Sequence, residues 1–234
     1  MTAETLPAPA PYPRIPHLVA GRGTDDDRVL ETSEVEALLA SPVVVEEKLD
    51  GANVMLWLSG HQVEVSLRSG PGATDRASQL GPLRAWVAQH DELRSLLACG
   101  RGGARAAYGE WLYLTHSVPY DRLPAHLVVL DLLGHDGSFL ALDERNDRCG
   151  RAGLAVPPEL SREDGATVEG VEARLGTSTF GPSPMEGVVV RALDGGSRVR
   201  VAKLLAPGFE RITDAAWDRG RPRNQLADRE ASWH

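Results

Sequence analysis

Two apolar runs and one segment of alternating apolar and polar positions predict strands within residues 43–67. Residues 43–45 begin one strand, and after a polar insertion residues 54–58 form another. A turn at 59–61 leads into residues 62–67, where apolar side chains recur at every second position. This pattern is typical of a hairpin with one solvated face.

Helical spacing indicates helices between the strands. Ser33 and Glu36 have the spacing of a capping box and predict a short helix through Leu39. Pro82 suits the first residue of a second helix that Gly100 closes. The further predicted elements are strands over 108–114, 127–133, 187–191 and 199–205, a helix from Asp143 to about residue 152, loops with one or two small elements over 153–184, and a helix over 209–218.

Many short strands joined by turns, with helices between them, predict an α+β fold built mainly on antiparallel sheets. Prolines alternate with small residues over 1–13, which predicts an extended, poorly ordered arm. The main domain is expected over residues 14–218, and an Arg-rich, mobile tail over 219–234. The chain has no Walker A motif, which excludes a P-loop nucleotide site.

Composition is ordinary for a globular protein, with 42% hydrophobic and 25% charged residues in a chain of 234. Apolar runs are of strand length and no signal peptide pattern is present, so we expect no membrane contact and a cytoplasmic location. Cys99 and Cys149 are the only cysteines. A disulfide framework and a thiolate zinc site are therefore excluded.

The net charge is −8, which excludes a nonspecific nucleic-acid coat. Contact with a nucleic acid would require a local basic patch. The candidates are Arg68, Arg191, Arg198 and Arg200, with the tail arginines 219, 221 and 223 as an outlying arm.

Lysine is rare in this chain, since Lys48 and Lys203 are the only lysines among 25 basic residues. A coding bias toward arginine would explain the count. Alternatively, these two positions require an amine, because a lysine can become a nucleophile whereas an arginine cannot lose its proton.

Polar residues interrupt apolar strands at several points along the chain. The sequence Lys-Leu-Asp-Gly at 48–51 lies between two predicted strands, and further charged residues follow in or beside later strands. They are Arg68, Glu110, Glu186 and Lys203. A charged group among apolar strand residues must be paired or functional. His116, His126 and His135 lack metal-ligand spacing and are predicted to be surface or turn residues.

This ordered set resembles the motifs of covalent nucleotidyltransferases, the group of ATP-dependent ligases and capping enzymes. The best match is the RNA ligase 2-type family, whose E-K-x-x-G-x-N motif is similar to Glu-Lys-Leu-Asp-Gly-Ala-Asn at 47–53. The other similar segments are 108–111, 120–123, 127–131, 186–190 and 201–204. The resemblance covers roughly residues 14–210 and implies a nucleotidyltransferase domain of antiparallel sheets with flanking helices and no OB-fold domain.

The resemblance implies ATP as the nucleotide and Lys48 as the nucleophile that attacks its α-phosphorus to give lysyl-AMP. A free lysine has a pKa of about 10.4, so a nearby cation is needed to favour the neutral amine. Lys203 and a bound Mg²⁺ or Mn²⁺ are the implied cations. Glu186 would bind the metal or hold Lys48, and Asp50 would bind metal-bound water or orient the nucleophile.

The same resemblance implies how the rest of the nucleotide would be held. Glu110 is expected at the ribose and Glu47 at the adenine edge. Arg68 is expected to contact AMP or a terminal phosphate, and Asn53 to serve the later steps. The 127–130 segment departs from the family, because it is aliphatic where an aromatic side chain usually stacks on adenine.

The implied substrate is RNA with 5′-phosphate and 3′-hydroxyl ends, and an end-healing kinase or phosphatase is a candidate partner. Two alternatives remain at this point. One is an enzyme of the DNA-ligase or capping type, which is disfavoured by the short region after residues 201–204 and by the 47–53 match. The other is a catalytically silent nucleotide-binding module, which the aliphatic 127–130 segment favours and the intact lysines and acids disfavour.

Overall fold

The computed structural model describes residues 7–22, 28–68, 76–98, 103–193, 200–210 and 220–228. The helices are α1 (Thr32–Ala40), α2 (Arg76–Val87), α3 (Asp91–Leu97), α4 (Leu142–Arg151) and α5 (Val168–Glu172). The strands are β1 (Val43–Lys48), β2 (Ala52–Ser59), β3 (Gln62–Leu67), β4 (Ala106–Trp111), β5 (Leu127–Leu133), β6 (Glu159–Glu163), β7 (Gly187–Ala192) and β8 (Val201–Leu205). The predicted α+β class is confirmed.

The strands form two four-stranded antiparallel sheets. The first sheet has the order β6-β1-β7-β8 and the second has the order β3-β2-β4-β5. The hairpin β2–β3 turns at Gly60, whose φ of +60° suits a residue without a side chain. Consecutive strands β1 and β2 belong to different sheets, so the polar insertion at 49–51 carries the chain from one sheet to the other. No OB-fold barrel is formed within the described ranges.

Strand alternation gives the first sheet one apolar and one polar face. On the apolar face, Val43 and Val45 of β1 pack with Val188 and Val190 of β7. Lys48 and the other residues of its parity point to the opposite face. The Lys48 side chain is thereby separated from the core that holds the sheet.

The second sheet is covered on one face by α2 and α3. Val54, Leu56 and Ala107 pack there with Leu83 of α2 and Leu93 of α3. Residues of the other parity, including paired Asn53 and Glu110, point away from this core. The polar faces of both sheets therefore line one inter-sheet space.

A buried ion network joins the two sheets across this space. Glu46 of β1 accepts hydrogen bonds from Arg145 of α4 at 2.5 Å and from Arg191 of β7 at 2.6 Å. Arg191 also contacts Asp131 of β5 at 2.9 Å, and Tyr12 donates its hydroxyl to the same carboxylate. The prediction of Arg191 as part of a surface patch for nucleic acid was wrong, because its guanidinium is buried between two carboxylates.

Both terminal segments differ from expectation where the structure describes them. Tyr12 is 5% exposed and stacks beside Tyr108, whose hydroxyl donates to the carbonyl of Ala10 at 2.7 Å. Residues 7–13 are thus extended but packed. Residues 220–228 also pack, with Asn224 buried against the segment after β4. Composition did not predict the packing of either terminal segment, because the hydrogen bonds that hold each segment are made with residues far away in the chain.

Helix boundaries are where the sequence predictions failed locally. Pro82 lies inside α2 rather than at its start, and the single helix expected up to Gly100 is divided into α2 and α3 at His90. The capping box of α1 is formed by Glu31 and Glu34, two residues before the predicted pair. The predictions for Cys99, Arg198 and residues 211–219 lie outside the described residues. In the described part of the chain, no helix is long and apolar enough to cross a bilayer.

Candidate functional site

Lys48 and Glu186 form an ion pair at the end of the first sheet. Lys48 ends β1 and is paired in register with Gly187, so Glu186 comes directly before β7 at the same level. The Lys48 Nζ donates to the Glu186 Oε2 at 2.7 Å, with the two side chains 18% and 1% exposed. Glycine is required at 187, since a Cβ there would lie 2.3 Å from the Leu204 carbonyl oxygen.

Glu110 and Asn53 face each other on β4 and β2 of the second sheet. The Glu110 Oε1 accepts from the Gly51 backbone N–H at 3.1 Å, and the Asn53 Nδ2 lies 3.4 Å from the Glu110 Oε2. The Asn53 Oδ1 is buried and has no hydrogen-bond partner among the described residues. The pair thus offers a buried acceptor beside a carboxyl group.

The charges of Lys48 and Glu186 both influence the pKa of Glu110. Burial raises the pKa of Glu110 to about 7. Lys48 acts to lower this pKa, Glu186 and Asp50 act to raise it, and the Asn53 hydrogen bond lowers it. The carboxyl group therefore changes charge near neutral pH.

Glu110→Gln is expected to stabilise the fold at pH 8 by about 1–3 kcal/mol and to have little effect at pH 4.5. The folded-state pKa of about 7 exceeds the ordinary value of 4.5, so folding favours the protonated carboxyl. The stability that the protonated carboxyl contributes is complete below pH 4.5 and is lost as pH rises through 7. The amide of the variant stays neutral at both pH values, so the variant does not lose stability in this way. Urea unfolding at both pH values measures the difference.

The matched control is Glu92→Gln on the exposed surface of α3. It makes the same chemical change without a buried site, so the gain between pH 4.5 and pH 8 should be absent. Equal pH dependence in Glu110→Gln and the parent protein would show that Glu110 is not the buried titrating group.

Asp50 anchors the segment after β4. Its Oδ2 accepts from the backbone N–H groups of Ser117 at 2.5 Å and Val118 at 2.8 Å. Its own N–H donates to the Tyr120 Oη at 2.8 Å. Asp50 is therefore fixed two residues after Lys48, and its contacts hold the 117–120 segment against the ion pair.

Glu47 points to the opposite face of β1 from Lys48. Both of its carboxylate oxygens are engaged, one by the Ser178 hydroxyl at 2.5 Å and the other by the Thr179 N–H at 2.8 Å. The structure therefore does not bring the Glu47 carboxylate together with the Lys48 amine.

Lys203 and Arg68 differ in their strand positions and in their exposure. Lys203 is 6% exposed in β8, where its pairing with Val189 places it on the same sheet face as Lys48. Arg68 is exposed just after β3, and its backbone N–H donates to the Asn53 carbonyl at 3.0 Å. The structure thus brings Lys203 to the polar face and leaves Arg68 at the edge.

His116 joins the site although the sequence analysis predicted a surface or turn residue. Its Nε2 lies 3.2 Å from the Gln79 Nε2. Burial lowers the pKa of His116 to about 4; Asp50 acts against this shift, and Arg221 and Lys48 add to it. The spacing of the histidines did not predict this position, because His116 is brought near the site only by the contact of its neighbour Ser117 with Asp50.

A cavity of about 370 Å³ lies beside the segment that holds Asp50 and beside the chain neighbours of Glu186. Ser117 and Val118, which hold Asp50, line one side of it. Met185 and Ala206, which flank the Glu186 strand end, line another. An open space thus lies next to the residues that hold Asp50 and to the chain neighbours of Glu186.

A family model described as RNA ligase matches residues 41–205 of the 234-residue chain. The chain belongs to the RNA ligase family. The match spans β1 to β8 and includes Lys48, Glu110, Glu186 and Lys203, so the residues of the resemblance all lie within it. No curated protein sequence matches the chain at a significant level.

Solved RNA ligases share the fold of this family member. A Naegleria gruberi RNA ligase with PPi is similar with a TM-score of 0.55 and 17% identity, over 85% of this chain and 61% of that one. A point mutant of the same ligase with ATP and Mn gives 0.54 and 16%, over 91% and 62%. An archaeal ATP-dependent RNA ligase gives 0.52 and 18%, over 84% and 48%. The chain thus spans about three fifths or less of the length of these ligases.

Proposed function

We propose that this chain is an ATP-dependent RNA ligase that works through a lysyl-AMP intermediate on Lys48. The observation that carries the proposal is the 2.7 Å contact between the Lys48 amine and the buried Glu186 carboxylate. Family membership supports the reaction class. The Lys48 Nζ would bond to the α-phosphorus of ATP as the bond to pyrophosphate breaks, and AMP would pass to an RNA 5′-phosphate before a 3′-hydroxyl displaces it.

Glu186 would accept the proton that the nucleophile must lose. An ammonium group has no lone pair, so Lys48 must lose a proton before it attacks. The Glu186 Oε2 lies at hydrogen-bond distance from that proton, which is the geometry that a general base requires. The same contact orients the amine toward the inter-sheet space.

The second sheet would hold the nucleoside. The Asn53 Oδ1 lacks a donor among the described residues, and Glu110 lies beside it, so a ribose with two hydroxyl groups fits this pair. Arg68 at the edge would contact a phosphate of the nucleotide. Glu47 would act at the adenine end through the 178–179 segment that its carboxylate holds.

A divalent metal would fit the site with phosphate oxygens of the substrate as part of its ligand set. The described residues contain no group of three or more His, Cys, Asp or Glu side chains that could hold a metal ion. Mg²⁺ is commonly bound by one or two carboxylates together with substrate phosphates. Glu186 and Asp50 are the proposed protein ligands for Mg²⁺ or Mn²⁺, which would neutralise charge on the phosphates, and Lys203 would add a fixed positive charge.

The proposed substrate is RNA with 5′-phosphate and 3′-hydroxyl ends, and the proposed role is RNA repair. Breaks with other end chemistry would need a kinase or phosphatase to prepare them. An end-healing enzyme is therefore the proposed partner.

Label transfer from ATP tests the proposal. The full chain is incubated with α-labelled ATP or GTP and Mg²⁺ or Mn²⁺, and the products are separated on a denaturing gel. We expect label on the protein from ATP and sealing of labelled RNA strands in a second reaction. Equal labelling from GTP would favour a capping-type enzyme, and no labelling from either nucleotide would favour a silent binding module.

A further inference from the structure

The C-terminal segment, defined here as residues 220–228, is built into the structure around Asn224. Asn224 is 4% exposed, and its Nδ2 donates to the Leu112 carbonyl at 2.8 Å. Its Oδ1 accepts from the Thr115 hydroxyl at 2.8 Å and from the Tyr120 N–H at 2.9 Å. One amide thus holds both ends of the 112–120 segment, and its removal would leave several buried polar groups without a partner.

The segment that Asn224 holds is the one that contacts Asp50. Ser117 and Val118 donate their N–H groups to Asp50, and Tyr120 accepts from its backbone. A continuous set of hydrogen bonds therefore connects the C-terminal segment to the position two residues after Lys48.

Arg221 is carried to the site by this docking. Its Nη1 donates to the Thr115 carbonyl at 2.9 Å, and the side chain is half-buried. Thr115 lies two residues before Ser117, whose N–H binds the Asp50 carboxylate. The Arg221 guanidinium thus adjoins the segment that borders the site, although Arg221 and Lys48 are far apart in the chain.

The charges of the site call for a further cation. Glu186, Asp50 and Glu110 are acids, whereas the basic residues of the motifs are Lys48, Lys203 and, at the edge of the site, Arg68. A triphosphate or an RNA end would add more negative charge. A guanidinium presents several N–H donors in a planar fork that matches phosphate oxygens.

We infer that Arg221, positioned by Asn224, binds a substrate phosphate beside Lys48. This inference rests on the proposed function, and it assigns a phosphate contact to a segment beyond the 41–205 family match. The phosphate belongs either to the pyrophosphate half of ATP or to the 5′ end of the RNA, and the two sources are separated by the choice of probe.

Binding measurements on Arg221→Gln test the inference without requiring catalysis. Glutamine can keep a donor for the Thr115 carbonyl while removing the charge. The probes are inorganic pyrophosphate, a 5′-phosphorylated RNA oligonucleotide and the same oligonucleotide with a 5′-hydroxyl. We expect Arg221→Gln to weaken binding of pyrophosphate, or of the phosphorylated but not the hydroxyl RNA, by about fivefold or more.

Arg94→Gln is the matched control. Arg94 is exposed in the last turn of α3, on the helix layer that covers the opposite face of the second sheet from Asn53 and Glu110. The control removes the same charge and should bind all three probes as the parent does. Thermal unfolding of both variants verifies that the segment remains docked, and Arg221→Lys should recover part of the lost affinity.

Unchanged binding of all three probes by Arg221→Gln would overturn the inference, as would equal losses in Arg94→Gln. Loss on pyrophosphate assigns the contact to ATP, and loss on phosphorylated RNA alone assigns it to the RNA end. Label transfer to the parent protein is scored separately, so failure of the proposed ligase activity is distinguishable from failure of the Arg221 contact.

Discussion

Lys48→Arg is expected to abolish transfer of label from ATP to the protein, while the fold is retained. The substitution keeps the positive charge beside Glu186, but a guanidinium cannot lose the proton that a nitrogen nucleophile must release. The loss should therefore be complete within detection. Labelling on a denaturing gel measures it, and thermal unfolding of the variant verifies folding.

The lysine content of the chain makes this result easy to interpret. Lys203 is the only other lysine, so any label that remains on the Lys48→Arg variant can be assigned by peptide mapping. Label on Lys203 would move the nucleophile from β1 to β8. A Lys48→Arg variant labelled as strongly as the parent would contradict the proposed mechanism.

Glu46→Gln is expected to lower the free energy of unfolding by about 3–5 kcal/mol. The carboxylate of Glu46 lies between the guanidinium groups of Arg145 and Arg191, and all three are nearly fully buried. Arg191 would keep Asp131, but Arg145 would lose its only described carboxylate partner. Removing one member of a buried ion network leaves an uncompensated charge in a poorly solvated place.

Urea unfolding measures this loss, with Asp143→Asn as the control. Asp143 pairs with Arg162 at 2.8 Å, but both side chains are well exposed, so the control should change stability little. Similar stability of Glu46→Gln and the parent would show that the network is not what joins the two sheets. The test also concerns the site, since Glu46 lies on the same strand face as Lys48.

Local pattern was sufficient for most strands. A continuous apolar run predicts β2, and period-two alternation after the turn at Gly60 predicts β3, because side-chain direction in a strand depends only on neighbouring positions. Helix limits were less well predicted. Pro82 suits a first turn by its missing N–H, yet α2 begins before it, because Leu80 on the preceding turn also packs against the core of the second sheet.

The sequence by itself determined the chemistry available to the site: two amines, several strand-end carboxylates and an asparagine in the order typical of the family. Tertiary structure decided which of them meet. Lys48 and Glu186 are 138 positions apart, and their contact arises from the pairing of β1 with β7. No local pattern encodes such a pairing, because its stability comes from packing between distant segments.

The same reason explains the residues whose surroundings the sequence misjudged. Arginine is a residue type expected in a basic surface patch, but the Arg191 side chain is buried, where it binds Glu46 and Asp131 of other strands. The segment with Asn224 has no periodicity, yet it docks because one buried amide satisfies three distant groups at once. Residue type is a property of the sequence, whereas burial and hydrogen-bond partners exist only once distant strands have met.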